Sequence, residues 1–184
     1  PMRGFPDFVL TVKTALQSRS DFVVKIAGND EVCYLKSSPP HSQTWGQWAK
    51  NELKPWIDSG QVVFTGRLNS IDYLNFLQMS DIHFYLSVDF VTSWSLFESL
   101  ACGCSVLTWD TISLQKDIGS SGHARHSVPY NSPKELVTGL EILLNDSIYR
   151  HKISVEARKL SQKFSKLKFD HLWSGIMAKM SKAH

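Results

Sequence analysis

A chain of 184 residues, 42% hydrophobic and 20% charged, can bury one sizeable core and has neither the composition of a disordered segment nor that of a fibrous one. Its net charge of +3 is small, and Lys and Arg are spread along it except between Arg158 and Lys168, which reads as a solvated helix face and not as a nucleic-acid surface. No apolar run approaches the ~18 residues of a membrane span.

The cysteines, Cys33, Cys102 and Cys104, are odd in number, and the last two stand too close for an ordinary bridge. No Cys/His spacing fits a zinc site. With no leader pattern in view, they read as reduced thiols of a cytoplasmic protein. Pro1-Met2-Arg3-Gly4 reads as the middle of a loop, so the chain is expected to be an excerpt of a longer one, with residues 1–184 forming a single domain.

The spacing of Phe8, Val9, Val12, Ala15 and Leu16 predicts a helix from Pro6 to Ser18. Phe22 to Ala27 lacks polar alternation, as a parallel strand covered on both faces would. Ser37 to Ser42 is a loop by composition. Trp45 to Leu53 predicts a short helix that Pro55 should end or follow. Trp45, Trp48 and Trp56 read as packing residues, with a stacking platform as the other reading.

Strand and helix then alternate. Val62 to Phe64 is a strand ending at Gly66, and Asn69 or Ser70 caps a helix through Met79. Ile82 to Leu86 is a strand, Ser93 to Cys102 a helix stopped by Gly103, Val106 to Thr108 a strand, and Ala124 to Val128 a last short one. Ser132-Pro133-Lys134-Glu135 has the residues of an N-cap, a first-position proline and a capping box, followed by the stripe Leu136, Val137, Leu140, Leu143 and Leu144. Ile153, Ala157, Leu160 and Phe164 mark a second helix, and Phe169, Leu172, Trp173, Ile176, Met177 and Met180 a third. This rhythm predicts an α/β fold: a mostly parallel sheet, Rossmann-like, with helices on both faces and a helical C-terminal tail. Ligands in such sheets sit at the carboxyl ends of the strands.

Three places join polar residues to strand ends or helix starts: Gly66-Arg67-Leu68, Phe90 to Glu98, and Arg3-Gly4. At the second, Ser93, Trp94 and Ser95 offer backbone N–H groups at a helix start, where a phosphate is stabilised. Glu98, one turn further in, can accept hydrogen bonds from vicinal hydroxyls such as those of a ribose. Ser95-Leu96-Phe97-Glu98 is also a capping-box pattern, so a purely structural role for Glu98 stays open. Arg67 and Arg3 can pair with phosphate oxygens or stand as plain surface arginines. No P-loop, G-x-G-x-x-G, G-x-S-x-G or H-E-x-x-H is present.

Phe97 to Leu107, Val62 to Leu68, Tyr73-Leu74, Ser80-Asp81-Ile82, Arg3-Gly4-Phe5 and Ser132 to Asp146 together resemble, in order and spacing, the C-terminal domain of group 1 retaining glycosyltransferases of the two-domain GT-B kind. The resemblance covers nearly the whole chain. It implies a domain that binds a nucleoside-diphosphate sugar, facing an N-terminal domain of the same full-length chain that holds the acceptor. It implies no cofactor and no metal, since basic side chains and helix N-termini stabilise the leaving diphosphate. Glu98 matches the second Glu of the family's E-x7-E motif, on the donor ribose. Ser93, Trp94 and Ser95 match the helix start facing the diphosphate, Arg3 the basic residue beside it, and Arg67 and Leu68 the loop beside the base. No catalytic residue is assigned within this chain. The first Glu of the motif falls at Phe90, which accepts no hydrogen bond, and its usual Gly at Ser93; a second phosphate-reaching Arg would precede Pro1. The other readings are a nucleotide-sugar-binding module without transfer activity and a flavodoxin-like interaction domain.

Overall fold

A computed structural model of the chain describes residues 3–30, 39, 44–88, 92–118, 124–129, 131–168, 170 and 174. The first helix, α1 (Phe5–Leu16), is followed by β1 (Val24–Ala27), α2 (Trp45–Glu52), α3 (Lys54–Asp58) and β2 (Val62–Gly66). Next come α4 (Ser70–Gln78), β3 (Ile82–Tyr85), α5 (Trp94–Cys102) and β4 (Ser105–Asp110). The chain continues through α6 (Ile112–Ile118), β5 (Arg125–Pro129), α7 (Pro133–Asn145) and α8 (Ser147–Ser161). The alternation expected from the residues is present. α6 is an addition that the sequence did not announce, and most of the third C-terminal helix expected around Trp173 lies outside the described residues.

All strand pairs are parallel, but they form two ladders, not one. β1 pairs with β2, Val24 opposite Val62, and β4 lies between β3 and β5, with Ile82 opposite Ser105 and Val106 opposite Arg125. Both ladders stand on one helical layer. Val24 and Ile26 of β1 and Ile82 and Phe84 of β3 pack with Val9, Val12 and Leu16 of α1 and with Leu136, Leu140 and Leu143 of α7. A second cluster fills the space between the other ladder and α5 and α8, around Leu96, Leu100, Val106 and Ala157.

Local chemistry explains most boundaries. Asn69 caps α4 by accepting the N–H groups of Ile71 and Asp72, and Gly103 stops α5 in the left-handed conformation at φ 81°. Pro55 does not end α2. It sits in the first turn of α3, where its missing N–H has no intrahelical partner to lose. Ser132 does not form the expected capping box. Its φ of −114° and ψ of 73° leave the side chain uncommitted, and its carbonyl instead accepts from the N–H groups of Glu135 and Leu136. The tryptophans do pack: Trp48 meets Trp45 edge-on at 5.4 Å, and Trp56 Nε1 donates to the Leu16 carbonyl at 3.1 Å. Cys102 and Cys104 are free thiols, and burial pushes Cys104 up to about 12; Cys33 lies outside the described residues. No helix among the described residues is long and apolar enough to cross a membrane.

Candidate functional site

Parallel ladders place all strand ends of one ladder on the same side, and the helices that follow begin there. β1 and β2 end together, Ala27 opposite Gly66, and the N–H of Gly28 donates to the Gly66 carbonyl at 2.9 Å. Gly28 (φ 135°) and Gly66 (φ 69°) both have open space where a side chain would stand, so bare backbone lines this part of the rim. Arg67 follows directly. It is exposed and has no hydrogen bond or ion pair with another described residue, while Leu68 is half-buried beside it.

The end of β3 carries the second part. Gly4, buried and left-handed at φ 66°, packs directly on Leu86, and Arg3 Nη1 donates to Ser87 Oγ at 3.3 Å. This contact brings the turn before α1 to the strand end that leads towards α5. Ser93 is the N-cap of α5, with φ −88° and ψ 154°. Its N–H already donates to Tyr85 Oη at 3.0 Å, and its Oγ shares a hydrogen bond with Ser95 Oγ at 2.7 Å. Tyr85 is fixed in turn, since its carbonyl accepts from Thr108 Oγ1 at 2.6 Å. The N–H groups of Trp94 and Ser95 therefore form the open start of the helix, and that of Ser93 does not. Trp94 is 79% exposed, a flat ring standing in solvent at the first helical position.

Glu98 is not a cap. α5 begins at Trp94 after Ser93, so Ser95 is already inside the helix and Glu98 lies too far along for a capping box. Its exposed carboxylate faces Tyr73 of α4. Burial first, and Glu98 second, push the Tyr73 phenol up to about 12. Glu98 also helps burial raise Cys102. The α4–α5 contact thus puts Glu98 beside the helix that starts just after Arg67-Leu68. The seven residues singled out by sequence, Arg3, Arg67, Leu68, Ser93, Trp94, Ser95 and Glu98, belong to this strand-end rim, in three groups linked by Gly4–Leu86, Ser93–Tyr85 and Glu98–Tyr73. Phe90 and Asp89 lie outside the described residues. Tyr73, Tyr85 and Ser87 were not assigned roles from sequence. Tyr73 had a signal, its place in a recognisable segment; Tyr85 looks like an ordinary strand residue, and Ser87 like the polar residue just past a strand's end.

Among the described residues no three His, Cys, Asp or Glu side chains converge as a metal site would require. A cavity of about 1030 Å³ opens between β1 and β3 and touches the rim only at Arg3 among these seven residues.

A family model described as "Glycosyl transferases group 1" matches residues 2–160. No curated protein sequence matches the chain. Among solved structures, it resembles the C-terminal domain of a glycosyl transferase group 1 family protein (LpcC) from Francisella tularensis, with 17% identity, a TM-score of 0.71, and coverage of 90% of this chain and 81% of that one. It also resembles Anabaena HepE in complex with UDP, at 13% identity and a TM-score of 0.76, covering 97% of this chain and 46% of HepE. Sucrose-phosphate synthase from Thermosynechococcus elongatus is similar at 16% identity and a TM-score of 0.73, with 99% of this chain and 43% of that one covered. The chain therefore spans less than half the length of the latter two.

Proposed function

Because the chain belongs to the group 1 glycosyl transferases, we propose that it is the donor-binding half of a retaining GT-B glycosyltransferase that moves a sugar from a nucleoside-diphosphate sugar to an acceptor. The observation that carries this reading is Glu98: an exposed carboxylate one turn inside α5, unused as a cap, beside an open helix start. In this reading Glu98 accepts from the ribose hydroxyls. The N–H groups of Trp94 and Ser95, with Arg3 and Arg67, hold the diphosphate. Ser93 contributes its hydroxyl and not its N–H, and Leu68 lies against the base. The UDP and UDP-glucose complexes of HepE support a nucleoside-diphosphate ligand.

The acceptor and the groups opposite the reacting carbon belong, in this reading, to an N-terminal domain of a longer chain. The isolated chain should then bind nucleotide weakly, since half the cleft wall is absent, and should not transfer sugar, since transfer needs both substrates in one geometry. Chemical-shift titration with UDP, GDP and ADP tests the site. Shifts should cluster at Arg67, Trp94, Ser95 and Glu98 with at least one of the three, and a Glu98→Ala chain should lose them. Unmoved signals at Glu98 and its neighbours with all three nucleotides would overturn the assignment. A second reading, nucleotide-sugar binding without transfer, is favoured by Phe90 at the position of the family's first motif Glu. Turnover by the full-length protein separates the two.

A further inference from the structure

Of the aromatic side chains among the described residues, only Trp94 and Phe164 are exposed, and Trp94 is much the more so, at 79% against 40%. The indole belongs to neither core cluster; Leu96 and Leu100, both fully buried, anchor its helix instead. Phe97, one turn further in, meets the indole edge-on at 6.4 Å and is itself backed by Phe164 at 4.6 Å. That contact steadies one side of the indole and, at this exposure, leaves the opposite face open. Side chains on a helix tilt towards its N-terminus, so a residue at the first position projects back past the helix start. The ring therefore covers ground beyond the N–H groups of Trp94 and Ser95.

Glu98 stands four residues on from Trp94, on the same face of α5 and one turn deeper. Along this face the order is a carboxylate, the open helix start and a flat apolar ring. A nucleoside-diphosphate sugar has the same order: a ribose with vicinal hydroxyls, a diphosphate and a sugar. With the ribose on Glu98 and the diphosphate at the helix start, the sugar arrives at the indole. A pyranose suits such a ring. Its hydroxyls crowd its edge and leave a patch of C–H groups on its face, which an aromatic plane can cover and dehydrate. This contact needs no hydrogen-bond acceptor, and Phe90, where the family's first motif Glu falls, supplies none.

We propose that Trp94 is a specificity-determining residue for the donor, its indole being the platform on which the transferred hexose stacks. The backbone of the residue serves the diphosphate and its side chain serves the sugar. The sugar class is a hexopyranose with an unbroken C–H face, held by that face and not by a carboxylate on its hydroxyls. This rests on the donor-binding reading of Glu98 and the helix start, and adds to it the means by which the sugar is held.

The test compares each nucleotide with its sugar forms by chemical-shift titration of the chain. The pairs are UDP with UDP-glucose, UDP-galactose and UDP-N-acetylglucosamine, GDP with GDP-mannose, and ADP with ADP-glucose. Trp94→Ala and Trp94→Phe both keep the N–H at this position, and neither removes a core side chain, so the helix start stays intact in each. With at least one sugar form the indole N–H of Trp94, assigned by its loss in Trp94→Phe, should shift where the bare nucleotide leaves it in place. Trp94→Ala should weaken binding of that sugar form about three- to tenfold and of the bare nucleotide less than about twofold, and Trp94→Phe should keep most of the difference. Equal weakening of nucleotide and sugar form overturns the proposal, since the ring would then serve the helix start. So does unchanged affinity for every sugar form. Glu98→Ala tells these failures from failure of the donor-binding reading, because it should weaken nucleotide and sugar form alike. Where it does so and Trp94→Ala leaves both untouched, the proposal falls alone. Where no nucleotide or sugar form binds at all, the reading falls and takes the proposal with it.

Discussion

Gly4 joins the turn before α1 to the end of β3, and replacing it with alanine tests that junction directly. Its φ of 66° lies in the left-handed region, which costs a residue with a Cβ about 1–2 kcal/mol. An added Cβ would also stand 2.5 Å from the Leu86 carbonyl oxygen and closer still to Leu86 Cβ, so backbone and not a flexible side chain would have to yield. Overpacking of this kind costs about 1–3 kcal/mol, for a total of about 2–5 kcal/mol. Gly60→Ala supplies the reference. It has the same strain at φ 82° but nothing within 4 Å, and should cost only the first of these contributions. In a domain of this size each kcal/mol lowers the melting temperature by about 2–4 °C. Gly4→Ala should therefore melt several degrees below Gly60→Ala, by urea titration and by thermal scan alike. Equal losses in the two variants would refute the reasoning, since they would mean that Gly4 has room and that Arg3 is not held at Ser87 by this contact.

Burial pushes His83 in β3 down to about 4 from 6.5, so the folded chain keeps it neutral while the unfolded chain takes up a proton. Stability should therefore fall as pH drops from about 6.5 to about 4 and level off below, by at most about 3 kcal/mol; urea midpoints of the native chain and His83→Phe should diverge in the opposite sense if this is wrong. His126, also lowered by burial, titrates in both chains and cancels in the comparison. Glu98→Gln should bring the Tyr73 phenol down from about 12 without restoring its ordinary value, since burial is the larger cause. Tyrosine-ring NMR between pH 9 and the onset of alkaline unfolding reads this, and an unchanged titration would separate the two side chains. In the full-length protein, Phe90→Glu should leave nucleotide affinity little changed while shifting the preference among donor sugars, because hydrogen bonds of ~1–3 kcal/mol become available there. Loss of nucleotide binding with unaltered sugar preference would mean that Phe90 does not occupy the motif position.

What could be read from the residues was whatever local chemistry decides. The Asn69 cap, the Gly103 stop and the stripe through Leu136, Leu140 and Leu143 place α4, α5 and α7 almost to the residue. α6 escaped because seven residues burying only Leu114 and Ile118 are too few for a helical period to stand out. Ser95-x-x-Glu98 shows the opposite failure. The pattern of a capping box is complete, but whether it forms depends on which serine takes the extended conformation, and Ser93 takes it. Once Ser93 is the cap, Glu98 is released from a structural duty and left on the rim. Likewise, the helix start was visible in the sequence, but the donation of Ser93 N–H to Tyr85 depends on a ring from the preceding strand, which no spacing announces. The locally coded elements thus arrive complete, while the site they frame is settled by pairings between distant segments.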